Sequence, residues 1–393
     1  MINKNTKEYI ESKKSAGLYG LSVNPALHPG ETLKDEIEFV GLTQADVAAR
    51  AGCTIQTINR IVNGRESISP DMALKLERVF EGRPNAQFWL NMQSAYDNEA
   101  ARVREEQRAE EEIGFFQSYM AETFKELQGF GLFGRITLET KDDLKKAVLE
   151  VKDFFEVATL ESIHEKNILG VAFRKYDRKN LNEYNLAALI KSGEKKARKV
   201  LKDQSLKMYD EKKFLAELPR IKTLTEKKPV VFLNELQERC REFGVIVVYV
   251  PQITHTYFGG ATTWVSGHPV IILKAEKQWE DIFWFNFFHE AGHILKHSKK
   301  KFFIDFENGK KTDLEIEADE FAQKILIPDF ETMTEGLKPE INIELWLKTS
   351  ARLAKVSEGI IAGRVCNEVK NKNAWKILGK YRPTIKEKVT LLD

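Results

Sequence analysis

The chain has 393 residues, with 61 lysines and arginines against 59 aspartates and glutamates, so its formal net charge is +2. This balance excludes a protein whose whole surface is basic, and any nucleic-acid or membrane contact has to be local. The three cysteines are isolated in the sequence, which argues against a disulfide framework. Because no apolar stretch is long enough to span a bilayer, the sequence predicts a cytoplasmic protein without a membrane partner.

The chain length suffices for two or three domains, each with its own core, and the patterns divide it into five segments. Residues 1–28 form a polar amino-terminal segment, and residues 29–97 carry short helical patterns separated by glycines and capping residues. Residues 98–228 are helix-rich and charged, which predicts a packed helical connector. Residues 229–338 combine β-branched runs with two longer helical patterns, and residues 339–393 form a carboxyl-terminal helical segment. The fold class is therefore mainly α with a smaller α+β part.

A helix-turn-helix pattern lies within the second segment, in "LTQADVAARAGCTIQTINRIVNG". Val47 and Ala48 are the apolar positions of a first helix, Gly52 provides the turn, and Ile58 and Ile61 anchor a second helix. In such folds the second helix presents its amino-terminal side chains to base edges in the major groove. The pattern predicts a bundle that binds a double-stranded DNA operator.

The expected DNA contacts come from the second helix and its flanks: Gln44, Thr54, Gln56, Thr57, Asn59, Arg60 and Arg65. Glutamine suits adenine and arginine suits guanine, while Gln44 at a helix start suits a phosphate. Acidic residues outnumber basic ones between Pro29 and Asp97, so electrostatic attraction to DNA is small unless the arginines share a face or a homodimer adds to it. The alternative is a helical protein-interaction module with the same fold.

His289, Glu290 and His293 form an HExxH pattern in "FFHEAGHILKH". On a helix, residues four apart lie on one face, so both imidazoles can reach one cation, with the glutamate beside the open position. Three protein ligands and a water suit a catalytic zinc ion, and an adjacent carboxylate can take the proton of that water. The alternative is a charged surface patch. The preceding run "IFWFNFF" favours a buried helix instead, where the imidazoles need partners.

The third ligand is expected from the next helical pattern, "DLEIEADEFAQKILIP". Glu315, Ala318, Asp319 and Ala322 share one face of that helix, and the two alanines would let it lie close against the histidine helix. We therefore expect Glu315 to be the ligand and Asp319 to accept a hydrogen bond from a histidine N–H. Glu317 points roughly 200° away from Glu315 around the helix and is the reserve ligand.

Three further features surround this motif. His297 lies one turn beyond His293, and we interpret it as a histidine that interacts with the helix dipole, since a fourth protein ligand would close the site to water. The strand pattern "GGATTWVSGHPVIIL" could offer a sheet edge to an extended peptide, although an ordinary strand explains each of its residues equally well. Tyr257 and His268 are candidates for stabilising the oxyanion of the reaction.

Taken together, the two motif sets resemble a bacterial family in which an Xre-type, HigA antitoxin-like helix-turn-helix regulator is fused to an ImmA/IrrE-type zinc metallopeptidase domain. The resemblance lies in the helix-turn-helix region and in "GVIVVYVP", "FGGATTWVSGHPVIIL", "FFHEAGHILKH" and "EIEADEFAQKILIP". It implies a zincin-like domain with a small sheet and an HExxH helix. It also implies Zn²⁺ held by His289, His293 and Glu315, with Glu290 as general base. Asp319 stands where relatives often have asparagine.

The resemblance implies a transcriptional regulator with a zinc-dependent endopeptidase domain that acts in a stress, phage-related or toxin–antitoxin-type response. Its protein substrate would be a helix-turn-helix repressor or the chain's own DNA-binding domain. Two alternatives stay open. The first is an antitoxin-like DNA-binding repressor in which the zinc fold is a sensor without turnover, and the second is a purely structural metal site.

Overall fold

A computed structural model describes the chain over eight stretches: residues 27–165, 182–203, 206–256, 258–297, 303–306, 312–335, 342–369 and 377–388. The chain divides into two compact units, Met1–Ile113 and Gly114–Asp393. Within the described stretches, every helix is too short or too polar to cross a membrane.

The first unit consists of helices whose starts and stops follow the sequence signals. They are α1 (Pro29–Val40), α2 (Gln44–Ala51), α3 (Ile55–Val62), α4 (Pro70–Val79) and α5 (Ala86–Glu111). Thr43, Thr54 and Ser69 each accept a backbone N–H at the start of the helix that follows. Gly41 and Gly52 end α1 and α2 in the left-handed region, at φ 72° and 63°, where a side chain would be strained.

The core of this unit contains the anchors that the helix-turn-helix pattern predicts. Val47 and Ala48 of α2 and Ile58 and Ile61 of α3 are buried, and they pack in one cluster with Trp89 of α5. Burial of these side chains holds α3 against α2 with its polar side exposed. The prediction of an amino-terminal helix-turn-helix bundle is confirmed.

Helix α5 continues through the position where the sequence suggests a domain boundary. It runs without a break from Ala86 to Glu111, so the boundary expected between residues 97 and 98 falls inside this helix. The charged stretch after Asp97 contains no glycine or proline to stop a helix. The five-segment division stays a prediction.

The second unit surrounds a small sheet with helices. The helices are α6 (Ile113–Tyr119), α7 (Ala121–Gly129), α8 (Lys141–Phe155), α9 (Glu161–Glu165), α10 (Glu183–Val200), α11 (Glu211–Lys222), α12 (Pro229–Arg241), α13 (Glu280–Lys296), α14 (Asp313–Leu326), α15 (Phe330–Glu335), α16 (Ile343–Ala354) and α17 (Glu358–Val369). Short 3₁₀ helices occupy Thr223–Glu226 and Gly379–Tyr381. The mainly helical fold class with a small sheet is confirmed.

The strands of the described residues are β1 (Ile246–Val250), β2 (Phe258–Val265), β3 (His268–Lys274) and β4 (Phe303–Phe306), in the order β1-β3-β2-β4. Strands β1 and β3 are parallel, whereas β2 runs antiparallel to both β3 and β4. The stretch "GGATTWVSGHPVIIL" forms β2 and β3. Strand β3 pairs on both sides, as the alternative of an ordinary sheet strand predicts, whereas β2 pairs with β3 over Gly260–Val265 and with β4 over Phe258–Thr262.

The sheet lies between helices on its two faces. Ile271 and Leu273 of β3 belong to the core cluster that contains the aromatic side chains of α13. On the other face, Gly193 of α10 lies so close to Ile272 that an added Cβ would be 2.6 Å from its terminal carbon. Because both faces are covered, β1 and β3 are buried along their whole length. The buried strands provide a rigid support for α13.

A buried ion pair joins the start of α13 to the carboxyl-terminal part of the chain. Arg382 donates two hydrogen bonds, of 3.1 and 2.7 Å, to Oδ2 of Asp281, and both residues are less than 10% exposed. The backbone N–H of Glu280 donates to the carbonyl of Pro383 at 3.0 Å. Burial raises the pKa of Asp281, and the hydrogen bonds from Arg382 oppose that increase.

We expect Arg382→Met to lower the free energy of unfolding of this unit by about 3 kcal/mol at pH 8, because it leaves Asp281 buried without its partner. The loss should shrink towards pH 5. Without the arginine, burial raises the pKa of Asp281 further, so the carboxyl becomes neutral on acidification and its burial costs less. Thermal unfolding across this pH range measures the effect, with exposed Arg352→Met as control. Equal stability of both variants at pH 8 contradicts the prediction.

Candidate metal centre

Helix α13 carries the HExxH residues into the core of the second unit. Phe287 and Phe288 are fully buried in the main hydrophobic cluster. His289 and His293 are each only 1% exposed, and Glu290 is 0% exposed. The alternative of a charged surface patch is thus wrong for these side chains, and their polar atoms need partners inside the protein.

Helix α14 lies close against α13 at small residues. Ala318 and Ala322 are completely buried. A Cβ added to Gly292 would lie 3.3 Å from Cα of Ala318 and 3.1 Å from the ring of Phe321. This close approach brings the acidic side chains of α14 within hydrogen-bond distance of the histidines.

Three ligand atoms converge between the two helices. Nε2 of His289 lies 3.0 Å from Nε2 of His293 and 3.0 Å from Oε2 of Glu315. Nε2 of His293 lies 3.4 Å from the same carboxylate oxygen. Among the described residues, these three side chains form a group that could hold a metal ion. The structure thus brings together the three residues predicted as ligands.

The proton arrangement around His289 makes this group suited to a cation. Nδ1 of His289 lies 2.9 Å from Oδ1 of Asp319, and because a carboxylate only accepts, this nitrogen carries the ring proton of the neutral imidazole. Its Nε2 lone pair then faces a carboxylate oxygen of Glu315. Two acceptors held this close repel each other unless a proton or a cation lies between them. Ligand atoms about 2.0–2.1 Å from a tetrahedral zinc ion are roughly 3.3 Å apart, which matches the observed spacing.

The pKa values of His293 and Glu315 favour the protonation states in which these side chains can bind a metal ion. Burial lowers the pKa of His293, which keeps its imidazole neutral. Burial by itself would raise the pKa of Glu315, but where no cation lies between the groups, a proton shared with His289 and His293 outweighs burial and lowers that pKa to about 2. A neutral imidazole and an ionised carboxylate are the forms that bind a divalent cation.

Glu290 is held by residues of β2 that the sequence analysis does not single out. The hydroxyl of Thr262 donates to Oε2 of Glu290 at 2.6 Å. A Cβ added to Gly260 would lie 2.7 Å from Oε1 of the same carboxylate, so glycine leaves room for it. The period of two along "GGATT" places residues 260 and 262 on one face of a strand, but which face meets α13 cannot be read from that period.

The other candidate residues near the motif do not lie with the three converging ligand atoms in the described part of the chain. Glu317, the reserve ligand, contacts His297 at 3.2 Å and not the histidine pair. His297 approaches Nδ1 of His293, which is the ring nitrogen on the far side from Glu315. Nδ1 of His268 lies 3.0 Å from the carbonyl oxygen of Gly244, and Tyr257 lies outside the described residues.

In the first unit, the side chains expected to contact DNA lie on α3, on its flanks and at the start of α2. Thr54 caps α3, Thr57 is half-buried, and four of the others are exposed: Gln56, Asn59, Arg60 and Arg65. Half-buried Gln44 accepts a hydrogen bond from Nδ2 of Asn59 at 3.3 Å, which links the start of α2 to α3. Arg60 lies 3.4 Å from Glu66, so its charge is partly balanced within the domain.

Comparisons with known proteins match both units. Residues 34–85 match the helix-turn-helix family, and residues 240–365 match the IrrE N-terminal-like domain family of peptidases. The chain is 43% identical over 79 residues to virulence-associated protein I of Dichelobacter nodosus, a match that covers 20% of this chain and 71% of that protein. It is 28% identical over 68 residues to the uncharacterised HTH-type transcriptional regulator YddM of Escherichia coli, covering 17% of this chain and 70% of the relative.

Solved structures also match a part of this chain. The Pseudomonas aeruginosa antitoxin HigA with the higBA promoter is 36% identical, and the match covers 21% of this chain and 88% of that chain with a TM-score of 0.20. A HigA-family addiction module antidote protein from Coxiella burnetii is 33% identical, with coverage of 22% and 92% and a TM-score of 0.20. The matched relatives thus leave most of this chain uncovered.

We expect Thr262→Val to lower the free energy of unfolding by about 1–3 kcal/mol, because it removes the hydroxyl that donates to the buried carboxylate of Glu290. Thr263→Val is the matched control, since Thr263 is also buried but points to the opposite face of β2. Denaturant unfolding of the two variants tests the expectation. It fails if Thr262→Val is no less stable than Thr263→Val.

Proposed function

We propose that this chain is a DNA-binding regulator with zinc-dependent endopeptidase activity. By its amino-terminal domain it belongs to the Xre-type helix-turn-helix proteins, and it carries an IrrE-like peptidase domain near its carboxyl end. The observation that carries the proposal is the buried group of His289, His293 and Glu315 with Glu290 beside it. We further propose that it acts in the cytoplasm, in a stress, phage-related or toxin–antitoxin-type response.

The side chains divide the chemistry of peptide hydrolysis among them. A zinc ion held by His289, His293 and Glu315 would act as a Lewis acid towards a peptide carbonyl and would acidify a water molecule. Glu290 is the general base, which accepts a proton from water and delivers it to the leaving amine. The hydroxyl of Thr262 holds one oxygen of Glu290, which orients the carboxylate during both transfers.

The sheet supplies a way to hold a peptide in extended form. Strand β4 lies at an edge of the described sheet and pairs with β2, which carries Gly260 and Thr262 over Glu290. An extended segment could add to such an edge through main-chain hydrogen bonds. This position for the substrate replaces the edge that the sequence analysis expected from β2 and β3.

The proposed substrate is a helix-turn-helix repressor or the DNA-binding unit of this chain. The presence of both domain types in one chain supports a role in which proteolysis changes transcription. Exposed side chains of α3 support operator binding, because Gln56, Asn59 and Arg60 are of the types that recognise base edges. A homodimer would double the number of DNA contacts.

Replacing Glu290 tests the peptidase activity directly. We expect Glu290→Gln to abolish cleavage, by at least about 100-fold, because the amide cannot accept the proton of the attacking water. The measurement is mass spectrometry of new protein amino termini in cells that produce either the wild type or the variant. Zinc content should stay at one ion per chain in Glu290→Gln, since this residue is not among the expected ligands.

His293→Ala is the companion variant, and it should lose zinc as well as cleavage. If zinc binds but the cleavage products of wild type and Glu290→Gln are the same, the endopeptidase is excluded and a non-catalytic zinc sensor is favoured. A fourth protein ligand on the bound zinc would favour the structural site instead.

Operator binding is tested with the promoter DNA that lies upstream of the chain's own gene. We expect Arg60→Ala to weaken binding by about 10-fold, because a guanine contact contributes roughly 1–3 kcal/mol. Arg78→Ala is the matched control, since Arg78 lies exposed on α4 and not on α3. Titration at several salt concentrations gives both affinities, and equal losses for the two variants contradict base readout by α3.

A further inference from the structure

His297 lies at the end of α13 and contacts two residues in a line. Its side chain is only 3% exposed, although the residue ends the helix. Its Nδ1 lies 2.8 Å from Nδ1 of His293, and its Nε2 lies 3.2 Å from Oε2 of Glu317. The line runs from a carboxylate near the surface to the ring of an expected metal ligand.

Which of these groups can donate and which can accept a hydrogen bond determines where the ring protons lie. The carboxylate of Glu317 only accepts, so it favours a proton on Nε2 of His297. A neutral His297 then has its lone pair on Nδ1 and accepts from Nδ1–H of His293. The same bond leaves Nε2 of His293 with a lone pair that faces Nε2 of His289 and the carboxylate of Glu315.

We propose that His297 and Glu317 are positioning residues that orient His293 and hold it in the tautomer able to bind the metal. The inference rests on the proposed zinc site, and it assigns a role to two residues that the site's own chemistry does not use. Asp319 does the same for His289 by direct contact at 2.9 Å. Each expected ligand histidine therefore has a hydrogen-bond partner at Nδ1. For His289 this partner is a carboxylate, and for His293 it is a second imidazole that contacts a carboxylate.

The position of the two acidic residues explains why the supports differ. Asp319 is buried and can reach His289 itself. Glu317 is 51% exposed and contacts His297, and through His297 it reaches His293. Because Glu317 is partly in water, its replacement should change the support of His293 without unfolding the helix.

The experiment compares zinc affinity, measured by competition with a chromogenic chelator, in the full-length protein. The variants are Glu317→Leu, which removes the acceptor, Glu317→Gln, which keeps one, and His297→Phe. Glu320→Leu is the matched control, because Glu320 is an exposed glutamate on the same helix that pairs with Lys324. Thermal unfolding of the metal-free proteins establishes that each variant is folded.

We expect His297→Phe to weaken zinc binding by about 10–100-fold and Glu317→Leu by about 10-fold, whereas Glu317→Gln recovers most of the affinity. The double variant of His297→Phe with Glu317→Leu should bind as His297→Phe does, since Glu317 acts through His297. In the cobalt-substituted protein, the exchangeable Nδ1–H proton signal of His293 should shift or disappear in His297→Phe, which a loss of packing alone would not cause.

Equal zinc affinity and unchanged cobalt spectra for Glu317→Leu and Glu320→Leu overturn the inference. Additive losses in the double variant also overturn it, because they show that the two residues act independently. A wild-type protein that takes up no zinc overturns both the inference and the proposed function. Zinc binding that depends on His297 in a protein that cleaves nothing overturns only the proposed function.

Discussion

The close approach of α13 and α14 is the constraint on which the candidate site depends. Gly292 and Ala318 leave so little space between the helices that Glu315 lies within 3.4 Å of both histidine nitrogens. Such an arrangement of lone pairs and a carboxylate is unfavourable in a dry interior unless protons or a cation balance it. The packing of small residues thus forces together groups that a metal ion would stabilise.

Different surroundings give three carboxylates different roles. Glu315 faces two imidazoles, and a proton shared with them lowers its pKa to about 2, so it stays ionised and can act as a ligand. Asp319 contacts Nδ1 of His289 and fixes the tautomer of that imidazole. Glu290, fully buried, takes its hydrogen bond from the hydroxyl of Thr262 on the sheet. The direction in which each side chain leaves its helix, rather than its chemical type, decides what it can do.

The sheet links this site to the rest of the second unit. Strand β3 is buried between α10 and α13, and it pairs with β2, which carries the partner of Glu290. Strand β4 is the edge strand next to β2 in the described sheet, and it lies beside the proposed catalytic residues. In the first unit a small apolar core orients α3. Helical periodicity then determines which side chains of α3 are exposed.

The sequence by itself determined the features that depend on neighbouring residues. The caps at Thr43 and Thr54, the turn at Gly52 and the shared face of His289 and His293 follow from local helix geometry. The small residues of α14 also indicated which of its faces would meet α13, and Glu315 lies on that face.

Only the tertiary structure decided the features that depend on distant parts of the chain. The strand order, the contact of Thr262 with Glu290 and the path from Glu317 through His297 to His293 all belong to this group. Residues far apart in sequence meet there because the core packs α13 against the sheet and α14 together. No local pattern contains that information, since a strand or helix shows which residues share a face but not which neighbour covers it.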